Sequence, residues 1–256
     1  MAKHNGANNS DTGDDLRSRF LALARLFEPK RAPEFDKIRL GQDYDGGYIL
    51  FGDFSGIKTA FSFGINNDVS WDLAIVERSI LVHQFDHTIA RSPVEHSLLS
   101  FHKTRIAETD GEDSACIDTL VKNFLTNSPY AIMKMDIEGD EWPALAAASP
   151  ESLLRFTQII CEFHDFSRAN DPAWYARAFK VMTKLKAAFE VVHVHANNGR
   201  PFVDIAGIAF PDVLDVTFAS RGRYRFVETD ETFPTKLDQP NDSSAPDHYL
   251  GPFKFG

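Results

Sequence analysis

The densest chemical signal in the chain is KMDIEGDEW, residues 134–142, at the end of the apolar run AIMKM. Four carboxylates, Asp136, Glu138, Asp140 and Glu141, fall within six residues. Like charges crowded at the mouth of a buried strand raise one another's pKa unless cations or ligand groups neutralise them. Asp140 and Glu141 are accounted for as the acidic first turn of the following helix, where they complement its dipole. Asp136 and Glu138 remain as candidates for chemistry.

Two further clusters lie downstream. In ICEFH, strand alternation sets Glu162 and His164 on the face opposite Cys161 and Phe163. In VHVHANN it sets His193 and His195 together, with Asn197 continuing that face. Making a hydroxyl nucleophilic needs a general base or a metal. Glu138, Glu162, His164 and His193 are the catalytic candidates, with His164 or Glu162 expected as the base and His193 as a positioning group. Any one strand histidine is better explained as a satisfied core or rim residue, though two x-separated pairs on neighbouring strands are less common by chance. Asp136, Glu138, Glu162, His164 and His193 also offer mixed oxygen and nitrogen donors of the kind a divalent cation accepts. No HxxxH or CxxC spacing supports a metal, and none is predicted.

These groups need a scaffold that brings strand ends together. From Thr59 onward, short apolar runs (TAFSFGI, LVHQFD, AIMKMDI, QIICEF, EVVHVH, FVDIAGIAF) alternate with helix-length segments at 70–79, 114–126, 141–148 and 171–189. That alternation predicts an α/β fold with a doubly wound, mostly parallel sheet and helices on both faces. In the last helix Asp171 is the expected N-cap and Pro172 the first helical residue. Leu16, Phe20, Leu23, Ala24 and Phe27 form one apolar helical face near the N-terminus. Residues 1–13 read as a mobile tail, 14–228 as the catalytic domain with its N-terminal helix, and 229–256 as an irregular extension packed at a few aromatics such as Tyr249 and Phe253.

In such sheets ligands sit beyond the carboxyl ends of the strands, where strand order reverses. Gly64-Ile65-Asn66-Asn67-Asp68 follows the first run and Asp86 the second. Asp86 stands about 20 residues beyond Gly64, the separation between a glycine turn and an acid that holds a ribose. A dinucleotide would demand G-x-G-x-x-G. Here Gly64 stands alone and Asp68 repels phosphate but tolerates an ammonium, which fits S-adenosylmethionine better than a nicotinamide dinucleotide. Taken singly, each signal is equally explained by a tight turn or a solvated acid. Asp45 in YDGGYIL, beside Gly46-Gly47, is a further candidate on a segment that could close over a ligand, or a plain glycine turn.

Composition removes whole classes. The net charge of −10 over 256 residues is a poor match to duplex nucleic acid. No apolar run is long enough to span a bilayer, and the first residues contain no apolar stretch of secretory type. Two cysteines, Cys116 and Cys161, make no disulfide framework. A cytoplasmic globular protein is expected.

KMDIEGDEW followed by Ala144-Leu145 resembles the K-[IM]-D-[VI]-E-G-x-E-W signature of FkbM-like class I methyltransferases. YDGGYIL at 44–50, SFGINNDVSWD at 62–72, VHQFDHT at 82–88, ICEFHDF at 160–166 and VHVHANN at 192–198 follow in family order, and look like the branch related to methyltransferase-like protein 24. The resemblance implies an S-adenosylmethionine-dependent transferase on a seven-stranded sheet. It places Gly64, Asn66 and Asp68 at the methionine end, Asp86 at the ribose and Asp136 at the wall of the cofactor pocket. Asp110, just past a third strand expected over 101–107, would reach the adenine. The chain departs from the commoner D-x-G-A-x-x-G pattern, lacking its first acid and second glycine. The implied reaction is methylation of a hydroxyl on a small molecule or glycan. A nicotinamide oxidoreductase, disfavoured by the missing glycines and Tyr-x-x-x-Lys pair, and a non-catalytic cofactor-binding module are the alternatives.

Overall fold

The computed structural model describes residues 9–126 and 128–256. Its centre is one seven-stranded sheet. The strands in chain order are β1 (Thr59–Phe63), β2 (Leu81–Phe85), β3 (Leu99–His102), β4 (Ala131–Met135), β5 (Phe156–Phe163), β6 (Phe189–Ala196) and β7 (Leu214–Ser220). Their spatial order is β6-β7-β5-β4-β1-β2-β3. The run from β3 to β5 is parallel, and β7 is antiparallel to both its neighbours. The chain winds outward from β1 through β2 to β3, then returns to the other side of β1 with β4. That is a switch point.

Packed around the sheet are α1 (Asn9–Ala24), α2 (Ser70–Val76), α3 (Ile117–Phe124), α4 (Glu141–Ala147) and α5 (Pro172–Ala188), with a single further turn at Pro150–Leu153. Alternation divides the strands between two cores. Phe61, Met133 and Cys161 join the large core with Phe20, Leu120, Trp142 and Leu185 from α1, α3, α4 and α5. Ala60, Ile132 and Ile160 face the other way, against α2 and a hairpin of Lys37–Leu40 with Tyr48–Phe51. Helices therefore lie on both faces, and the hairpin completes the thinner one. The α5 start is as expected, with Asp171 Oδ1 accepting the Ala173 amide at 2.9 Å. Among the described residues no helix is long and apolar enough to cross a membrane.

Three boundaries differ from the sequence expectations. FVDIAGIAF is a small hairpin, Phe202–Ile205 with Ile208–Pro211, turning at Ala206 and Gly207 with positive φ. The last strand of the main sheet is LDVTFAS, which is absent from the expected runs although Leu214 to Phe218 alternate apolar and polar, and nearly all of it is buried. The segment expected as one third strand breaks at Lys103, and Arg105–Ile106 pairs instead with Ser114–Ala115. Helix α1 begins at Asn9, inside the stretch expected as a tail, while residues 1–8 lie outside the described residues. The extension from 229 is irregular but strapped down: Phe233 and Phe253 are buried and Phe233 bridges Gly251, whereas Tyr249 is 73% exposed.

On β2, burial lowers the His83 pKa from 6.5 to about 4, with His102 adding to the effect. The unfolded chain therefore takes up a proton that the folded chain refuses. The stability contributed by neutral His83 is complete above about pH 6.5 and is lost as pH falls toward 4. Urea denaturation of His83→Gln should show a shallower loss of stability than wild type across that window. Equal slopes would rule this out.

Candidate active site

Register explains why the site exists. Phe63 pairs with both Phe85 and Met135, and Met135 with Cys161. The next residues, Gly64, Asp86, Asp136 and Glu162, thus leave four adjacent strands at one level. Glu162 pairs with Asp215 and Asp215 with His195, so the row continues across the sheet. An open cleft of about 470 Å³ lies over its centre, lined by residues including Asp45, Tyr48, Gly64, Asn66, Asp68, Asp86, Lys134, Asp136 and Glu138.

Gly64 has φ +71°, and a Cβ there would lie 1.7 Å from the Asp136 carbonyl oxygen. Only glycine lets β1 and β4 approach this closely. Asp86 Oδ2 accepts the amides of Ile65 at 3.0 Å and Asn66 at 2.8 Å, while Oδ1 accepts the Thr88 amide at 2.7 Å and its hydroxyl at 2.6 Å. Burial pushes this carboxyl up, but the Thr88 hydroxyl and the amides outweigh it, and its pKa is held below the ordinary value. Asp86 is thus a clamp on the glycine loop as well as a cleft residue. Asp68 accepts the Ser70 amide at 2.8 Å and hydroxyl at 3.1 Å.

Asp110 does not line the cleft. Its carboxylate accepts the Cys116 amide at 2.8 Å and the Thr119 hydroxyl at 2.6 Å, bracing the start of α3. Thr104, Arg105 and Ile106 hold the edge expected of it. His193 does not reach the cleft either, because β6 is the edge strand of the sheet, with β7 between it and β5. Its Nε2 meets Asp238 Oδ1 at 2.8 Å, and His195 Nε2 meets Asp247 Oδ2 at 3.0 Å. Both histidines anchor the C-terminal extension.

Asp136, Glu138, Glu162 and His164 do come together. His164 Nε2 lies 3.6 Å from both Glu138 Oε2 and Glu162 Oε2. Glu162 Oε1 accepts the Asn197 amide group at 2.7 Å, and Asp136 Oδ2 accepts the Tyr48 hydroxyl at 3.2 Å. Glu138 and Asp165 adopt left-handed backbone, φ 56° and 70°, at the ends of β4 and β5. Such strained positions gather at functional sites. Burial raises the Glu162 pKa well above its ordinary value, and Asp136 and Asp215 raise it further. Burial opposes protonation of His164, yet its bond to Glu141 and the surrounding carboxylates lift its pKa to about 9. Glu162 and His164 stand beside the cleft, behind Asp136 and Glu138, and do not line it.

Sequence reasoning dismissed Glu141. The residue does open α4, but its carboxylate is fully buried and folds back, accepting the amides of Ile137 at 2.9 Å and Gly139 at 3.0 Å and meeting His164 Nδ1 at 3.1 Å. Asp140 keeps its expected surface role, paired with Arg105 at 2.6 Å. Tyr48, Asp72 and Lys134 were also missed. Burial raises the Asp72 pKa to about 6 against the opposing pull of Lys134, and Lys134 Nζ donates to the Gly64 carbonyl. No local pattern marks these residues, since each matters only through neighbours distant in sequence.

The cleft suits an amino-acid nucleoside. Ile65, Phe85 and Ile106 give apolar walls near Asp86. The lining also includes Asp68, Lys134 and Trp71, whose buried Nε1 has no hydrogen-bond partner. A carboxylate and an ammonium would both find complementary groups there.

The family model for the methyltransferase FkbM domain matches residues 21–199, and the chain belongs to that family. It is accordingly a methyltransferase by family, with S-adenosylmethionine the donor the family implies. Among solved structures, it is similar to a Listeria monocytogenes protein described as an S-adenosylmethionine-dependent methyltransferase, at 11% identity and TM-score 0.36, covering 66% of this chain and 93% of that one. It is also similar to the 16S rRNA (adenine(1408)-N(1))-methyltransferase of Catenulisporales acidiphilia, at 11% identity and TM-score 0.33, covering 71% of this chain and 97% of that one. No curated protein sequence matches the chain.

Proposed function

We propose that this protein transfers the methyl group of S-adenosylmethionine to a hydroxyl oxygen of a small molecule or glycan. The observation that carries this reading is the level row of strand ends. It sets Glu162, Asp136, Gly64 and Asp86 at the ends of four consecutive strands, with Glu138 and His164 meeting Glu162 at one end of the row. Methyl transfer is an in-line displacement that gains most from holding acceptor and donor in line. The acceptor hydroxyl must also lose a proton. Glu162 and His164 are the groups placed to receive it, but burial raises the Glu162 pKa and the Glu141 bond with the surrounding carboxylates raises that of His164. Each therefore serves as a base only after shedding its own proton, and turnover should rise with pH. Glu138, exposed at the rim, would meet the acceptor first. Gly64, Asn66, Asp68, Asp86 and Asp136 hold the donor in this reading.

Calorimetric titration with S-adenosylmethionine, S-adenosylhomocysteine and NAD tests it. Micromolar binding of the two adenosyl ligands and none of NAD is expected, weakened at least tenfold in Asp86→Ala. Tighter NAD binding, or no adenosyl binding by a folded protein, would overturn the reading. Adenosyl binding without turnover on a broad panel of hydroxyl acceptors would instead favour a non-catalytic module.

A further inference from the structure

We propose that Asp136, Glu138 and His164 form a binding site for a divalent transition-metal cation, with Mn²⁺ the probe suited to the donor set. One ligand atom from each lies within 4.8 Å of the others. Donors around a single ion about 2.1 Å away stand roughly 3–4.2 Å apart, and the 3.6 Å between His164 Nε2 and Glu138 Oε2 already falls in that range.

Two observations separate this cluster from an ordinary group of acids. His164 is only 9% exposed, yet among the described residues its Nε2 makes no hydrogen bond and points between two carboxylates. Asp136 Oδ1 is likewise buried without a partner. The surroundings have the form of a metal site's outer shell. Glu141, itself fully buried, accepts from His164 Nδ1 and so fixes the ring with Nε2 turned toward the carboxylates, where an ion would take the place of the Nε2 proton. Tyr48 holds the second oxygen of Asp136, and Asn197 holds one oxygen of Glu162 so that the other faces His164 at 3.6 Å. Glu162 is thereby placed as a fourth donor.

A single imidazole among carboxylates suits Mn²⁺, which accepts both donor types. An ion there would neutralise the crowded carboxylates and leave positions open toward the cleft for a hydroxyl acceptor. The site itself does not depend on methyl transfer.

The test is titration of Mn²⁺ into tag-free, chelator-stripped protein without S-adenosylmethionine, followed by loss of the free-ion electron paramagnetic resonance signal. One Mn²⁺ per chain at micromolar affinity is expected, weakened at least tenfold in Glu138→Gln and in His164→Gln and unchanged in Glu95→Gln. Pulsed measurements should show an imidazole nitrogen coupled to the ion, lost in His164→Gln. No binding below millimolar, equal affinity in Glu138→Gln, or absence of nitrogen coupling would overturn the site. The Glu138 side chain is 82% exposed, so that variant keeps the test informative if His164→Gln misfolds. Adenosyl binding by a protein that fails this titration would remove the metal and leave the methyltransferase reading standing.

Discussion

Gly64→Ala is expected to abolish S-adenosylmethionine binding and to destabilise the protein. The added Cβ would lie 1.7 Å from the Asp136 carbonyl oxygen, a backbone atom that cannot rotate away, and φ +71° is unfavourable for alanine. Relief requires β1 and β4 to part at the switch point. That displaces the loop held by Asp86 on one side and the Asp136 turn on the other. Loss of about 3 kcal/mol or more is expected from overpacking combined with backbone strain. Thermal denaturation reads the stability and calorimetry the binding. A variant that melts like wild type and binds the donor normally would show that this close approach is not needed.

The paired substitution Glu162→Gln with His164→Ala should reduce turnover by roughly 10²- to 10⁴-fold, the usual yield of general acid–base catalysis. Donor affinity should stay within about threefold of wild type, because neither residue lines the cleft. Formation of S-adenosylhomocysteine on a panel of hydroxylated sugars and small molecules measures the first quantity, and calorimetry the second. Retained turnover would eliminate both residues as the base. Turnover lost together with donor binding would assign them a role in holding the cleft. His193→Ala provides the contrast. Its side chain meets Asp238 and Lys37, so its effect should fall on the C-terminal extension and stability.

The sheet, its helices and the row of strand-end residues were readable from the chain because they rest on local physics. Apolar runs of strand length alternate with helical segments, and Asp171-Pro172 carries its own start signal. A buried parallel strand must end in residues that meet solvent or ligand, which is why Gly64, Asp86, Asp136 and Glu162 could be singled out. KMDIEGDEW is dense enough to mark its own position. LDVTFAS escaped although Leu214 to Phe218 alternate, because a single seven-residue run beside the longer FVDIAGIAF carries little weight. The break after His102 falls in a short, half-buried edge strand with no local signal.

Which of the marked residues share a site was decided only by tertiary structure. Asp110 and Asp86 are both acids beyond apolar segments, yet one braces α3 and the other clamps the glycine loop. His164 and His193 both sit in x-separated pairs, but strand order puts His164 beside Glu138 and Glu162 and leaves His193 on the edge strand, facing Asp238. Glu141 looks like any helix-opening acid until the fold buries it against His164. Residue type and spacing specify what a side chain is able to do. Its partners come from contacts across 20 to 90 residues of chain, such as Asp86 with Asn66 and Tyr48 with Asp136, and those are set by how strands align.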